Sequence, residues 1–361
     1  MKASIVAKAS ATLAAAATLS LSVGGGAFAA GPTASQEDPT TNGYLVGVGS
    51  DTIQDVLYGF SQDFGTQPDG LANLTSWTAT GTGNFTTRSG VTVVPSGATA
   101  GQAIRPNGSG GGYKALLDSI GVTSGVSGFN AGDVDFSRAS GTQGTLQPGT
   151  SGVTTDIPFA IDALSTAVPA GSPLLKTNGG NGLSITDLVK IYSSQYNEVN
   201  TSTGALGKTT AATPDAGSVF IQAFLPKPGS GSRQFFLGQL AALDPTDFNL
   251  TANGSTKGDG LFTTAGTPAA SAPYVGAVQY DGTAVQEHDA TILTNSTSKD
   301  VAAIAPFSAA KFIGYHNGLI ADPDAGKTAG TDYALVPFAS TVTGDRKSTR
   351  LNSSHRCISY A

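Results

Sequence analysis

The sequence predicts an α/β protein with parallel strands, because the same local unit occurs three times along the chain. Each unit consists of a β-like run, a tight loop of Gly and Ser, and a segment whose apolar residues follow the i, i+3, i+4 spacing of a helix. Strands that alternate with helices in this way are typical of the α/β class. The three units span 44–64, 102–120 and 219–243.

In the first unit, a strand at 44–48 is followed by a loop at 49–52. The helix that comes next carries Ile53, Leu57 and Phe60 on one face. The other two units have the same order. In the second, a run at 102–105 is followed by a loop at 107–112 and a helix with Tyr113, Leu116, Leu117 and Ile120. In the third, a run at 219–225 is followed by a loop at 229–232 and a helix with Phe236, Leu240 and Leu243.

Two apolar runs, at 157–168 and 301–306, are predicted to be strands as well. A further strand is predicted at 133–136. A helix is predicted to begin directly after Ser184, which is a suitable N-cap. Two segments, 65–101 and 249–273, are predicted to be surface insertions, because Gly, Thr and Ala occur in them without a clear period.

The first residues have the features of a secretory signal peptide, which we place at 1–29. Lys2 and Lys8 provide a positive start, an apolar run follows, and Ala27 and Ala29 are small residues suited to cleavage. The run is too short for a membrane helix, and no cysteine near it could carry a lipid anchor. We therefore expect a secreted, extracytoplasmic protein.

The composition changes abruptly at the other end of the chain. Basic residues and the single cysteine, Cys357, are concentrated in 345–361. This segment resembles a translated sequencing adapter, and we predict that it is a non-native tail that replaces the true C-terminus. A native basic tail is the alternative.

The chain is acidic, with 19 Lys and Arg against 25 Asp and Glu. Its acidic excess is larger between the two ends, because both ends are basic. Nucleic acid is therefore not an expected partner. Without cysteines in this central part, the fold depends on its apolar core, and the length is sufficient for two lobes.

The Gly/Ser loops have the chemistry of anion cradles. A helix N-terminus leaves backbone N–H groups unpaired and carries partial positive charge, glycine allows close approach, and a hydroxyl adds a donor. One such loop is commonly only a helix cap, but three in one chain favour an anion site. Six to ten well-aimed donors would suffice for binding at about micromolar concentration.

Other chemistries have weaker support. Gly207-Lys208-Thr209 and Gly326-Lys327-Thr328 lack the first glycine of a P-loop, and no Gly-x-Ser-x-Gly elbow of a hydrolase is present. Glu287-His288-Asp289 contains metal-binding residue types, but adjacent residues on a regular element cannot all face one ion. We expect a polar turn there, with no metal and no cofactor.

Taken together, the motifs resemble the phosphate-binding proteins of ABC uptake systems. The likeness extends from about Tyr44 to Pro337, without the insertions. Each motif is weak alone, but their order and spacing make a fairly specific match. The motifs are Val48-Gly49-Ser50-Asp51-Thr52, Arg105-Pro106-Asn107-Gly108-Ser109-Gly110, Asp135-Phe136-Ser137-Arg138-Ala139-Ser140, Ile157-Pro158-Phe159-Ala160-Ile161-Asp162, the helix from Leu183 to Tyr192, and Gly229-Ser230-Gly231-Ser232-Arg233.

The resemblance implies a two-lobed type II periplasmic-binding-protein-like fold with two hinge crossover strands, which would be 157–168 and 301–306. Lobe one would be discontinuous, 42–155 plus 307–344, and lobe two would be 160–300. The residues that match the family's ligand loops, and that we predict to bind the ligand, are Ser50, Asp51, Thr52, Gly108, Ser109, Gly110, Ser137, Arg138, Gly229, Ser230, Gly231 and Ser232.

The chain departs from the family pattern at two places. Where relatives have an arginine before the last loop, this chain has Pro226 beside Lys227, and the family's aspartate near Ser140 is absent. That aspartate accepts the phosphate proton and disfavours sulfate, so the choice of oxyanion is left open. Arg138 and Asp51 are the expected replacements.

The function that these features favour is capture of inorganic phosphate between the lobes and its delivery to an ABC permease. The expected protein is a monomer and not an enzyme. The alternatives are an exported module that binds sugars or surfaces, which the Thr/Gly-rich segments suggest, and a binding protein for another oxyanion such as sulfate.

Overall fold

The computed structural model describes the parts of the chain that form the fold and the candidate site. Only the backbone is described at 61–64 and 351–360. The described residues are 45–64, 74–81, 83–122, 128–141, 149–150, 152–193, 195–211, 213–227, 229–243, 286–294, 302–320, 322–324, 326–337 and 351–360. The predicted signal peptide and the segment 249–273 lie outside them.

The elements alternate as the sequence predicts. A short 3-10 helix at Asp51–Ile53 precedes α1, and another at Pro173–Lys176 precedes α3. The helices are α1 Gln54–Phe64, α2 Gly108–Ser119, α3 Thr177–Gly180, α4 Ile185–Tyr192, α5 Gly231–Leu243, α6 Thr291–Thr294 and α7 Ala309–His316. The strands are β1 Leu45–Gly49, β2 Leu74–Ser76, β3 Phe85–Thr86, β4 Thr92–Val94, β5 Gln102–Ile104, β6 Phe136–Ala139, β7 Thr155–Pro169, β8 Glu198–Asn200, β9 Leu206–Gly207, β10 Ser218–Ala223, β11 Ala302–Ser308, β12 Tyr333–Leu335 and β13 Leu351–Tyr360.

The main sheet is mixed and has the order β2-β1-β6-β13-β7-β11-β10-β8-β9, with β12 beside β7. β1 pairs in parallel with β2 and β6, and β10 pairs in parallel with β11. A small second sheet contains β3, β4 and β5. The α/β class is therefore confirmed, and in each of the three predicted units the strand precedes the Gly/Ser loop and the helix follows it.

The long strand β7 and the strand β11 correspond to the two predicted crossover runs. They pair antiparallel, with Ala305 opposite Ala167 and Ser308 opposite Leu164. β7 also pairs with β13, whose other neighbour is β6. The backbone at 351–360 thus lies between β6 and β7. Because a foreign segment would not be expected to pair with both strands, the prediction that 345–361 is non-native is tested by truncation, as described in the Discussion.

One hydrophobic cluster is built from residues between Val46 and Ala139. At its centre Trp77 is 1 % exposed and packs on Phe85, with ring centroids 4.1 Å apart. The expectation of a surface insertion at 65–101 is therefore wrong for the described part of that segment. Strands of only two or three residues are too short to show a periodic pattern.

A second cluster is built mainly from residues between Leu164 and Ile304, which lie on β7, α4, β10, α5 and β11. A third cluster joins Tyr315 and Tyr333 to Phe224 and Leu293. This cluster thus joins residues of 307–337 to residues of the part that we predicted as lobe two, and the division into lobes stays a prediction. Within the described residues, no helix has the length and apolar character needed to cross a membrane.

Ser184 caps α4, as predicted. Its hydroxyl accepts a hydrogen bond from the backbone N–H of Asp187, and the Asp187 carboxylate accepts one from the backbone N–H of Ser184. This reciprocal capping box satisfies two N–H groups that the helix leaves unpaired.

Candidate functional site

Three of the predicted Gly/Ser loops meet at the ends of their strands. Ser50 follows β1 and caps the 3-10 helix, Gly108 begins α2, and Gly231 begins α5. The loops before α2 and α5 touch directly, since the backbone N–H of Gly110 donates to the carbonyl of Gly229 at 3.0 Å. Loops that are more than a hundred residues apart in the chain thus form one site.

The close approach depends on glycine. A Cβ atom at Gly231 would lie 2.3 Å from Oγ of Ser109 and 2.8 Å from Cβ of Ser140. A Cβ atom at Gly112 would lie 2.4 Å from Cα of Gly49. Any larger residue at either position would push the helix away from the loop it packs against.

Buried hydroxyl groups surround the point where the loops meet. Oγ of Ser50 lies 2.9 Å from Oγ1 of Thr52 and 3.2 Å from Oγ of Ser140. Oγ of Ser109 accepts a hydrogen bond of 2.9 Å from the backbone N–H of Ser140. Ser140 therefore belongs to the site, where the sequence analysis noted only the absence of an aspartate.

The carboxylate of Glu287 sits among these hydroxyl groups. It accepts hydrogen bonds from the hydroxyls of Ser50 at 3.4 Å and Thr52 at 3.5 Å, and from the backbone N–H of Ser232 at 3.1 Å. The hydroxyl of Ser230 also donates to it. We call these four donors and the space between them the cradle.

His288 adds an N–H group directly behind the cradle. Its Nδ1 accepts a hydrogen bond of 2.9 Å from the backbone N–H of Ser308, so the proton of the neutral ring is on Nε2. Nε2 lies 3.2 Å from Oγ1 of Thr52 and 3.3 Å from Oγ of Ser232. By donating to these hydroxyls, the imidazole leaves their own protons available for the anion.

The environment keeps Glu287 ionised. Burial raises its pKa, but hydrogen bonds with Asp51, Ser230 and the backbone of Ser232 act against burial, and the pKa lies below its ordinary value, at about 2. Burial lowers the pKa of Lys227, while the charges of Glu287 and Asp51 act in the opposite direction. Lys227 is therefore electrostatically coupled to the two carboxylates of the site.

Asp51, Glu287 and His288 also place one possible metal ligand each within 4.8 Å of one another. The histidine does not suit such a centre, however, because a metal would need an unprotonated nitrogen. Nδ1 is already engaged by Ser308, and Nε2 carries the proton. The tautomer of His288 therefore disfavours a metal ion bound by all three residues.

Arg138 does not face the cradle, which corrects the expectation that it provides the missing cation there. Its Nε donates to the carbonyl of Ser50, and the two terminal nitrogens donate to the carbonyls of Gly47, Gly49 and Trp77 and to Oγ of Ser76. These five contacts use the five N–H groups of a guanidinium. Arg138 thus stabilises the turn after β1 by hydrogen bonds to backbone carbonyls.

The remaining predicted residues divide into two groups. Ser50, Thr52, Ser230 and Ser232 contribute donors to the cradle, and Asp51 contacts Glu287. The others contribute backbone or packing: Gly108, Ser109, Gly110, Gly229 and Gly231 shape the loops, and the hydroxyl of Ser137 donates to the carbonyl of Arg138 at 3.5 Å.

The sequence pattern did not place Glu287 and His288 in the cradle: it favoured a polar turn there, with a metal site as the weaker alternative. The available signal was the rarity of histidine, with 3 in the chain, beside an acidic residue in a segment otherwise poor in charge. That signal does not show whether the two side chains point to solvent or into a site, because an exposed turn and a buried contact have the same local pattern.

No protein-family model and no curated protein sequence matches this chain. Among solved structures, it is similar to an ABC-type phosphate transport receptor from Vibrio cholerae, with 14% identity, a TM-score of 0.41, and 88% of this chain and 86% of the other covered. It is also similar to a phosphate-binding protein from Stenotrophomonas maltophilia, with 12% identity, a TM-score of 0.43, and coverage of 88% and 78%. A third is PstS from Borrelia burgdorferi, with 14% identity, a TM-score of 0.37, and coverage of 88% and 86%.

These structures are of the kind that the sequence motifs resemble. Similarity at this level does not identify the ligand of this chain, which has to be inferred from the groups that line its cradle.

Proposed function

We propose that this chain is an extracytoplasmic binding protein that captures inorganic phosphate and delivers it to an ABC permease. The observation that carries this proposal is the cradle, in which hydroxyl and backbone N–H donors from separate loops converge on the oxygens of one buried carboxylate. Carboxylate and phosphate oxygens are acceptors of the same kind, and charged acceptors form the stronger hydrogen bonds.

The chemistry of the cradle favours an oxyanion over a sugar. Sugars are commonly held by stacked aromatic rings, whereas the described donors here are Ser and Thr hydroxyls and a backbone N–H.

The protonation of His288 favours binding over hydrolysis. A histidine that activates a serine accepts the hydroxyl proton on Nε2 and donates from Nδ1. Here Nδ1 accepts from Ser308 and Nε2 donates to the hydroxyls of Thr52 and Ser232. The tautomer therefore suits anion binding and does not suit a general base.

The test is a titration of the chain, from residue 30 onward, with phosphate, sulfate and glucose, followed by calorimetry and by thermal unfolding. Phosphate should bind and raise the melting temperature, and sulfate should bind more weakly. If glucose raises the melting temperature and neither oxyanion does, the proposal is wrong and the sugar-binding alternative is favoured. If sulfate binds more tightly than phosphate, the protein is a sulfate-binding protein instead.

A further inference from the structure

The carboxylate of Glu287 occupies the position that an oxyanion would need. It is only 4 % exposed and already accepts hydrogen bonds from Ser50, Thr52, Ser230 and Ser232. An incoming anion would require the same donors, and a ring of this size cannot serve two sets of anionic oxygens at once.

The segment that carries Glu287 is held by contacts with both sides of the site. On one side, the Asn107 side chain donates to the amide oxygen of Gln286 at 3.1 Å. On the other side, the backbone N–H of Ser308 holds the ring of His288. The ring of His288 also packs on Phe307, with ring centroids 5.5 Å apart, so the backbone on this side of Glu287 is anchored. Rotation of the Glu287 side chain alone is enough to take its carboxylate out of the cradle.

The ionised state of Glu287 makes the competition electrostatic as well as steric. An ionised carboxylate and an anionic oxygen of the ligand repel each other strongly in a buried site unless a proton lies between them, and the donors that surround Glu287 leave no proton between it and an anion that binds the same donors. A ligand anion can therefore enter the cradle only when the Glu287 carboxylate leaves it.

We propose that Glu287 is a tethered anion that competes with the ligand, so that oxyanion binding displaces its carboxylate from the cradle. This inference rests on the proposed function. It makes the affinity of the protein a balance between the external anion and the internal one, and it assigns a role to a residue outside the predicted ligand loops.

The test compares Glu287→Ala and Glu287→Gln with the unaltered protein, with Asp289→Asn as the matched control. Asp289 lies two residues away, and its carboxylate accepts from the backbone N–H and hydroxyl of Thr291, outside the cradle. Calorimetry with inorganic phosphate should show affinity at least about tenfold higher for both Glu287 variants. The control should bind as the unaltered protein does.

Chemical rescue separates displacement from a general change of stability. The cradle of Glu287→Ala lacks its internal carboxylate, so acetate should raise the melting temperature of this variant and should compete with phosphate. The unaltered protein and Asp289→Asn should not respond to acetate. Glu287→Gln keeps the shape of the side chain and serves if the alanine variant does not fold.

The outcomes distinguish the two proposals. If the unaltered protein binds phosphate and both Glu287 variants bind it equally or more weakly, the tethered anion is wrong and the proposed function stands. If only the variants bind phosphate, the tethered anion is supported. If no form binds phosphate or sulfate, the proposed function is wrong and this inference with it.

Discussion

The backbone N–H of Ser308 donates a hydrogen bond of 2.9 Å to Nδ1 of His288. Ser308 is the last residue of β11 and the N-cap of α7, and its hydroxyl donates to the carboxylate of Asp162 on β7. The two long neighbouring strands thus orient the imidazole whose Nε2–H supports the cradle. The tautomer at the site is a consequence of the main sheet.

Replacing Thr52 by Val should weaken phosphate binding about tenfold, because the change removes one hydroxyl donor and keeps the shape of the side chain. Calorimetry gives the dissociation constant. Thr154→Val is the matched control, since Thr154 is also buried and donates at 3.3 Å to the hydroxyl of Tyr113. Equal affinities for Thr52→Val and the control would remove Thr52 from the cradle.

Asp51→Asn should lower the preference for phosphate over sulfate. Phosphate near neutral pH keeps a proton that a carboxylate can accept, whereas sulfate has none. The cap of the 3-10 helix is Ser50, whose hydroxyl accepts from the backbone N–H of Thr52, so the substitution leaves the cap in place. The measurement is the ratio of the two dissociation constants, with Asp289→Asn as control. An unchanged ratio would contradict this role of Asp51.

Arg138→Lys should destabilise the protein by about 3 kcal/mol or more, because a lysine cannot satisfy the carbonyls of Ser50, Gly49 and Trp77 together. Chemical denaturation measures the loss. Arg88→Lys is the control, since Arg88 is partly exposed in an ion pair with Asp135 and should contribute at most about 1 kcal/mol. A similar small loss at both positions would show that the buried contacts of Arg138 do not stabilise the fold.

Lowering the pH should reduce the free energy of unfolding through protonation of Glu287. Its pKa falls from an ordinary value of 4.5 to about 2 on folding, so its contribution to stability is complete above pH 4.5 and is lost as the pH falls towards 2. Between pH 5 and pH 2.5, the free energy of unfolding should decrease by up to about 3 kcal/mol more for the unaltered protein than for Glu287→Gln. Parallel curves for the two proteins would be inconsistent with a low pKa at Glu287.

Removal of 345–361 should leave thermal unfolding and phosphate binding unchanged, because the break in composition at Asp345 predicts a segment foreign to the protein. The comparison is between the full chain and one that ends at Gly344. A lower melting temperature for the shorter chain would show instead that the pairing of β13 with β6 and β7 belongs to the fold.

The parts of the fold that the sequence predicted are those with a local pattern. The helix of Ile185–Tyr192 has its cap at Ser184, directly before its apolar spacing begins, and the loops at Ser50 and Ser230 come after strands that the sequence predicts. The segment around Trp77 was assigned to the surface because its strands are too short to be periodic. Trp77 is packed between Phe85, which belongs to the next short strand, and Phe129, which is distant in the chain.

The direction of a side chain was beyond local reasoning. Arg138 has the residue type of an anion ligand, but its five donors go to acceptors at the ends of β1 and β2. Glu287 reaches the cradle from a position 237 residues after Ser50. An α/β chain with anion-binding loops follows from the order of residues, since caps, glycines and apolar spacing act over a few positions. Which group fills those loops was decided by tertiary packing, because only the paired strands bring Glu287 and His288 to Ser50, Thr52 and Ser232.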